Sequence, residues 1–128
     1  MILLLDTHTL LWSMSNNPNL SQRAAVAVSD SRNQCFVSVI SIWEVAVKFR
    51  SGRLPEAAPL VHDPKRILST LNFKTLPLEL EHARFAGSLV NPHKDPFDRM
   101  LAAQAILEGL TLVSKDAVFD TMLVTRLW

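Results

Sequence analysis

Residues 1–8 have the sequence MILLLDTH, an apolar run that stops at an acid. Ile2–Leu5 are apolar at every position, which is typical of a strand buried on both faces of a sheet. Such strands belong to the interior of parallel sheets, and parallel strands must be joined by long crossover connections, usually helices. The rest of the chain should therefore alternate short strands with helices.

Short apolar runs do alternate with helical patterns along the chain. Further strands are predicted at residues 35–38, 73–76, 110–113 and 122–128. Helices are predicted around residues 10–12, at 21–29, 41–51 and 79–89, from residues 63–64 to about 71, and from residues 95–96 to Gly109. Residues 55–64 are predicted to form a Pro-containing connection. The pattern predicts an α/β fold with a mainly parallel sheet, in which ligands bind at the carboxyl ends of the strands.

Length and composition suit a single domain, residues 1–128, with a hydrophobic core. The 128 residues are 48% hydrophobic and 20% charged, which excludes a disordered chain. The single cysteine, Cys35, cannot form an internal disulfide, so we expect a small buried side chain and a reducing cytoplasm. The apolar run at residues 1–5 is too short for a signal peptide or a membrane span.

The charges nearly balance, with 13 Lys and Arg against 12 Asp and Glu and a net charge of +1. Proteins that bind nucleic acid through non-specific phosphate contacts are usually more basic. The total charge therefore neither indicates nor excludes a nucleic-acid partner.

The positions of the acids carry more information than their number. Asp6 follows the first predicted strand, Glu44 lies in the first turn of the helix after the second, and Asp116 follows the fourth. These three acids fall at the predicted carboxyl edge of the sheet. Asp98 opens the helix that leads back to the fourth strand, so it reaches this edge only if a long loop crosses there.

Each acid also has a local structural explanation. Asp6 and Asp95 can cap helices, and Asp116 can be a turn residue. Ser41 and Glu44 match the capping-box pattern, in which Glu44 would only bond a backbone N–H. If the acids converge instead, their repulsion requires a cation. Carboxylates without thiolates favour Mg²⁺ or Mn²⁺, and two such ions can activate a water and stabilise the leaving oxygen of a phosphodiester.

Four segments, in this order and spacing, resemble PIN-domain proteins. They are LLLDTH at residues 3–8, SVISIWE at 38–44, HKDPFDRMLAAQA at 93–105 and LVSKD at 112–116. The third segment is specific, and the ordered set covers nearly the whole chain. The most similar branch is that of the VapC-like toxins of bacterial type II toxin–antitoxin systems.

The resemblance implies a three-layer α/β/α fold and Mg²⁺- or Mn²⁺-dependent endoribonuclease activity. It also implies a homodimer and a small antitoxin that fills the active-site groove. The family's four acids, which are both catalytic and metal-binding, match Asp6, Glu44, Asp98 and Asp116. Asp98 is preferred to Asp95 because the sequence RMLAA follows it, which leaves Asp95 as a helix cap. Asp120 is an additional acid of lower rank.

Several other side chains near these acids have both a functional and a structural interpretation. Thr7 and Ser114 can hold a carboxylate or a metal-bound water, or form local caps and turns. Arg99 and Lys115 can contact phosphate, balance the acids or form structural ion pairs. His8 and His93 can bind metal, although a site rich in oxygen ligands does not need them.

The remaining basic and aromatic residues are expected mainly at the surface or in packing contacts. His62 and His82 are predicted to lie on the surface or in loops, and Trp12 and Trp43 in the core or a subunit interface rather than against bases. A basic group can either grip an RNA backbone or form solvated helix ends: Lys48, Arg50, Arg53, Lys65 and Arg66.

Two other functions compete with the nuclease. A haloacid-dehalogenase-like phosphatase would use Asp6 as a nucleophile, but its motif requires a second Asp where this chain has His8. A non-catalytic binding module would have the same fold with an incomplete set of acids, whereas all four are present here. The sequence does not identify which RNA would be cut.

Overall fold

The computed structural model describes residues Met1–Trp128 and contains a five-stranded parallel sheet with the strand order β3-β2-β1-β4-β5. Its strands are β1 (Ile2–Leu5), β2 (Gln34–Ser38), β3 (Phe73–Leu76), β4 (Thr111–Val113) and β5 (Arg126–Leu127). The first strand lies at the centre, with Leu4 opposite Phe36 of β2 and Leu112 of β4. This position explains its uninterrupted apolar sequence.

Seven α-helices connect the strands: α1 (Thr7–Ser13), α2 (Gln22–Ser29), α3 (Val39–Arg50), α4 (Ala58–His62), α5 (Pro64–Thr70), α6 (Leu80–Ser88) and α7 (Pro96–Leu107). Two 3-10 helices, Pro55–Ala57 and Ala117–Met122, complete the fold. Ser21 caps α2 and Asp63 caps α5, as their positions before the helical patterns predict.

The sheet separates two hydrophobic cores. Leu3 and Leu5 of β1 face one core, which they share with residues of α1 to α5, whereas Leu4 faces the other, which contains Leu101 of α7 and Phe119. Successive side chains of a strand point to opposite faces, so an apolar residue at every position supplies both layers. The structure therefore confirms the predicted α/β/α arrangement. Cys35 is 3% exposed and belongs to the first core, as expected.

Helices α6 and α7 form an antiparallel pair. His82, near the start of α6, accepts a hydrogen bond at Nδ1 from the Glu79 backbone N–H and lies 2.9 Å through Nε2 from Glu108 Oε1, directly after α7. The prediction of a surface or loop position for His82 is wrong, because its side chain is fully enclosed between these partners. His62, by contrast, is exposed.

Three predicted boundaries are wrong. Helix α3 begins at Val39, where Ser38 Oγ accepts a hydrogen bond from the Ile40 N–H, so Ser41 and Glu44 do not form a capping box. Residues 55–64 contain helical turns and not only a connection. The last strand has two residues, because Leu123 adopts a left-handed conformation with φ 62° and interrupts the extended chain. Separately, none of the helices combines the length and the hydropathy needed to cross a bilayer.

Candidate metal centre

The carboxyl edge of the sheet forms the floor of an acidic cavity of about 210 Å³. Asp6 follows β1, Asp116 lies three residues after β4, and Glu44 projects from α3, which continues directly from β2. Ten residues line the cavity: Asp6, Thr7, His8, Glu44, Lys48, Asp95, Asp98, Leu101, Asp116 and Phe119. The structure thus brings together all four acids matched from the sequence, and it adds Asp95.

Asp98 reaches this cavity because α7 begins at the same edge. The segment between α6 and α7 is held in place by Arg99, whose guanidinium donates to the backbone carbonyls of Ala86, Leu89, Asn91 and His93. A planar guanidinium with five N–H donors is suited to binding several carbonyls at once. The expected structural ion pair of Arg99 is wrong, since its donors serve the backbone and no carboxylate, and Arg99 does not line the acidic cavity. The expected contact with phosphate stays a prediction.

Three of the acids use one carboxylate oxygen as a helix cap. Asp6 Oδ1 accepts from Thr9 N at 2.8 Å, Asp95 Oδ1 from Phe97 N at 2.9 Å, and Asp116 Oδ1 from Val118 N at 3.0 Å. In each case Oδ2 makes no hydrogen bond within the protein. Capping and ion binding are therefore compatible, because each function needs only one of the two oxygens.

The other two acids divide their oxygens between a basic side chain and the cavity. Glu44 Oε2 lies 3.3 Å from Lys48 Nζ, one turn further along α3. Asp98 Oδ2 lies 2.8 Å from His93 Nε2. These contacts hold the carboxylates before any ion binds, and the second oxygen of each remains available.

The surroundings of Asp98 disfavour the ionised form of its carboxyl. Burial raises the pKa of its carboxyl, the hydrogen bond from His93 opposes that rise, and the nearby charges of Asp95 and Asp116 raise the pKa further. The ligand atoms of His93, Asp95 and Asp98 all lie within 4.8 Å of one another. Asp6, Glu44 and Asp116 lie outside this tight group but line the same cavity.

The hydroxyl groups near the acids stabilise the backbone and one another. Thr7 Oγ1 donates to Ser41 Oγ at 3.1 Å, and Ser114 Oγ accepts from Asp116 N at 3.0 Å, which is the local turn considered from the sequence. Thr9 Oγ1 donates to the Val113 carbonyl at 2.9 Å and so ties α1 to β4. Sequence reasoning missed Thr9, because its partner lies 104 residues away and no local pattern indicates it.

Asp120 does not line the cavity. Both of its carboxylate oxygens accept from Arg126 at 2.9 Å, and this pairing lowers the pKa of Asp120. Its lower rank in the sequence analysis is consistent with this position.

The other basic and aromatic residues considered from the sequence lie in different places. Of the basic group at the end of α3 and in α5, Lys48 lines the cavity, whereas Arg66 pairs with Asp63. Trp43 is 55% exposed and stacks on Phe97 with ring centroids 5.2 Å apart, so it does not belong to the core, and its other expected place, in a subunit interface, stays a prediction.

The donor set fits a hard divalent cation. Five carboxylates in one cavity offer oxygen ligands, and their mutual repulsion falls when a cation binds. Lys48 alone contributes a fixed positive charge to the cavity wall. The arrangement can therefore concentrate Mg²⁺ or Mn²⁺ at the carboxyl edge of the sheet.

Comparison with known proteins agrees with this architecture. Residues 3–122 match a family model described as "PIN domain". None of the curated protein sequences compared with the chain matches it.

Solved structures share the fold at low sequence identity. VapBC2 from Rickettsia felis, bound to a promoter DNA fragment, has a TM-score of 0.75 and 18% identity, covering 99% of this chain and 98% of that chain. A toxin–antitoxin complex from Klebsiella pneumoniae has a TM-score of 0.58 and 15% identity, with 98% and 95% covered. VapC20 from Mycobacterium tuberculosis, a sarcin–ricin loop cleaving toxin, has a TM-score of 0.66 and 14% identity, with 93% of each chain covered.

Because the family model spans nearly the entire chain, and the parallel sheet places the acids of the matched segments around one cavity, the chain belongs to the PIN-domain family.

Proposed function

We propose that this chain is a Mg²⁺- or Mn²⁺-dependent endoribonuclease and the toxin of a bacterial toxin–antitoxin pair. The observation that carries the proposal is the cavity at the carboxyl edge, where five carboxylates each keep one oxygen free of hydrogen bonds within the protein. A cluster of this kind is suited to phosphodiester hydrolysis, in which negative charge develops on oxygens of the substrate.

Asp6, Glu44, Asp98 and Asp116 would hold the metal. A divalent ion bound there supplies Lewis-acid stabilisation of the charge that develops on the phosphate oxygens. The caps at Asp6 and Asp116 hold these carboxylates in place, so they need little reorganisation when the substrate binds. Lys48 lies in the same cavity and can attract the phosphate to an otherwise negative surface.

The proposed partners follow from the PIN-domain relatives. A sarcin–ricin loop cleaving toxin shares the fold, which supports RNA as the substrate. A toxin–antitoxin complex shares it as well, which supports a cognate antitoxin that covers the acidic cavity. We also propose a homodimer, as the resemblance to VapC-like toxins implies, and cytoplasmic action on RNA.

Cleavage of RNA by the purified chain, freed of any antitoxin, tests the proposal directly. We expect single-stranded RNA to be cut in Mg²⁺ or Mn²⁺ and left intact in EDTA. The Asp6→Asn variant should lose cleavage and keep its fold, because Asn can retain the cap to Thr9. Asp120→Asn is the matched control, since Asp120 lies outside the cavity. Full activity of Asp6→Asn, or of the wild-type chain in EDTA, would refute the metal-dependent mechanism.

The alternatives predict different results. A non-catalytic module would bind RNA or protein without cutting RNA in any metal. A haloacid-dehalogenase-like phosphatase would form an acyl phosphate (aspartyl phosphate) on Asp6, but membership of the PIN-domain family favours a metal ligand at this position.

A further inference from the structure

A second cavity, of about 290 Å³, opens beside the acidic one. It is lined by Asp6, His8, Trp12, Lys115 and Asp116. Three of these residues, Asp6, His8 and Asp116, also line the acidic cavity. The two cavities therefore meet along the carboxylates, and a ligand held in the acidic cavity can extend into the second one.

One wall of this second cavity is aromatic. The rings of His8 and Trp12 lie on successive turns of α1, with centroids 5.4 Å apart and an interplanar angle of 30°. Trp128, the residue directly after β5, packs against Trp12, with ring centroids 5.9 Å apart. Trp12 is thus supported by a second indole, while His8 is exposed. A supported aromatic surface of this kind binds flat, polarisable groups with little loss of conformational entropy.

Each of the two cavities contains one lysine that can contact a phosphate. Lys115 is the lysine that lines the second cavity, and Lys48 is the lysine that lines the acidic cavity. Each cavity therefore contains one positively charged lysine side chain, and Asp6 and Asp116 lie at the boundary between the two cavities. A chain of phosphates can contact one lysine in each cavity while a phosphodiester lies at the carboxylates.

We propose that the second cavity binds one nucleotide of the RNA, next to the phosphodiester that lies in the acidic cavity. The base stacks on the rings of His8 and Trp12, and Lys115 contacts the adjoining phosphate. The volume suits a single base, since it lies just below the range of pockets that hold drug-sized ligands, about 300–1,000 Å³. This inference rests on the proposed ribonuclease function and adds a position at which the substrate is recognised.

Mononucleotide binding tests the inference without requiring cleavage. Adenosine 5′-monophosphate and ribose 5-phosphate are each titrated into the Mg²⁺-loaded protein, and the indole N–H signals are followed by NMR. The nucleotide should bind about 5- to 150-fold more tightly than the sugar phosphate, the gain expected from stacking one base on an aromatic side chain. His8→Ala should reduce that gain several-fold, and Lys115→Met should weaken both ligands. His62→Ala and Lys74→Met, which alter exposed residues outside both cavities, are the matched controls.

A cleavage experiment places the subsite along the RNA. Abasic sites are introduced one at a time around the cut phosphodiester. An abasic site at one flanking position should lower kcat/KM of the wild-type protein but change kcat/KM of His8→Ala very little. Abasic sites at the other positions should change kcat/KM of both proteins equally. Trp12→Leu is avoided as the main variant because Trp12 packs against Trp128 and its loss can disturb the fold.

The outcomes separate this inference from the proposed function. Equal affinity for the nucleotide and the sugar phosphate overturns the base-binding cavity, whether or not RNA is cut. Equal behaviour of His8→Ala and His62→Ala overturns it too. Base-dependent binding that requires His8, in a protein that cuts no RNA, retains the nucleotide site and refutes the ribonuclease.

Discussion

Lys48 Nζ lies 3.3 Å from Glu44 Oε2, one turn apart on α3, inside a cavity that five carboxylates share. The side chains are 30% and 21% exposed, so water screens this pair only in part. Lys48 therefore offsets some of the repulsion among the acids of the metal-free protein. It also competes with a metal ion for one of the acids that would bind it.

Lys48→Met should therefore change stability and metal affinity in opposite directions. We expect the free energy of unfolding in EDTA to fall by about 1 kcal/mol, because Glu44 loses its cation. We expect Mg²⁺ to bind several-fold more tightly, because one nearby positive charge is gone. Denaturant unfolding in EDTA and calorimetric titration with Mg²⁺ measure the two effects. Lys65→Met, an exposed lysine of α5, should change neither, and weaker Mg²⁺ binding by Lys48→Met would contradict this account.

Asp116→Asn should stabilise the metal-free protein and remove its response to metal. Asp116 raises the pKa of Asp98, so its negative charge disfavours the ionised form of that neighbour. Asn can keep the cap to Val118, so the change mainly removes repulsion. We expect the wild-type protein to gain about 2.7 kcal/mol when Mg²⁺ reaches 100 times its Kd, and the variant to gain much less. Thermal unfolding with and without Mg²⁺ provides the comparison, and an equal gain in both proteins would exclude Asp116 as a ligand.

Arg99→Lys should destabilise the protein even though the charge is kept. Arg99 donates to four backbone carbonyls around the loop before α7, and an ammonium cannot reproduce that geometry. Loss of these charge-assisted bonds should lower the free energy of unfolding by about 2–3 kcal/mol. Arg84→Lys, at an exposed pair with Glu81, should cost far less. We expect the salt dependence of RNA binding to be the same in Arg99→Met as in the wild-type protein. A smaller salt dependence in the variant would show that Arg99 contacts phosphate.

Stability at alkaline pH should depend on Cys35. Burial raises the pKa of the Cys35 thiol from 9.0 to about 11. Between these values the unfolded chain has released the thiol proton while the native protein still holds it, so rising pH favours unfolding. The free energy of unfolding should therefore fall more steeply between pH 9 and 11 in the wild-type protein than in Cys35→Ala. Loss of packing in Cys35→Ala lowers its free energy of unfolding equally at every pH, so the difference in slope between the two proteins remains. Equal slopes of the two plots against pH would show that the native thiol ionises normally.

Local patterns in the sequence were sufficient to predict most of the fold. The apolar run at Ile2–Leu5 predicts a strand buried on both faces, and Leu3–Leu5 are fully buried while Ile2 is exposed. Ser21 and Asp63 cap the helices that follow them. These signals act over a few residues, so they can be recognised without knowing the tertiary structure. The left-handed conformation of Leu123 has no such signal, because it occurs at a residue that rarely adopts it.

Four of the acids that line the cavity could be predicted from the order and spacing of the matched sequence segments. The geometry in which these acids meet could not be predicted from the sequence. The sequence predicts that Asp95 caps a helix, and it does, yet Asp95 also lines the cavity. A helix cap and a metal ligand are not mutually exclusive roles, because a carboxylate has two oxygens. The contacts of His82 with Glu108 and of Arg99 with the Leu89 carbonyl depend on how α6 packs against α7, and no short motif encodes that packing.

The two outer strands of the sheet determine how copies of this chain can associate. Exposed strand edges invite pairing with other chains, and proteins suppress such pairing with short strands, lysine and proline. Strand β5 has only two residues, and β3 carries the exposed Lys74 and is followed at once by Pro77. Neither edge offers a long row of free backbone donors and acceptors. Assembly by extending the sheet into a neighbouring molecule is therefore disfavoured, and with it one route to fibrous aggregation.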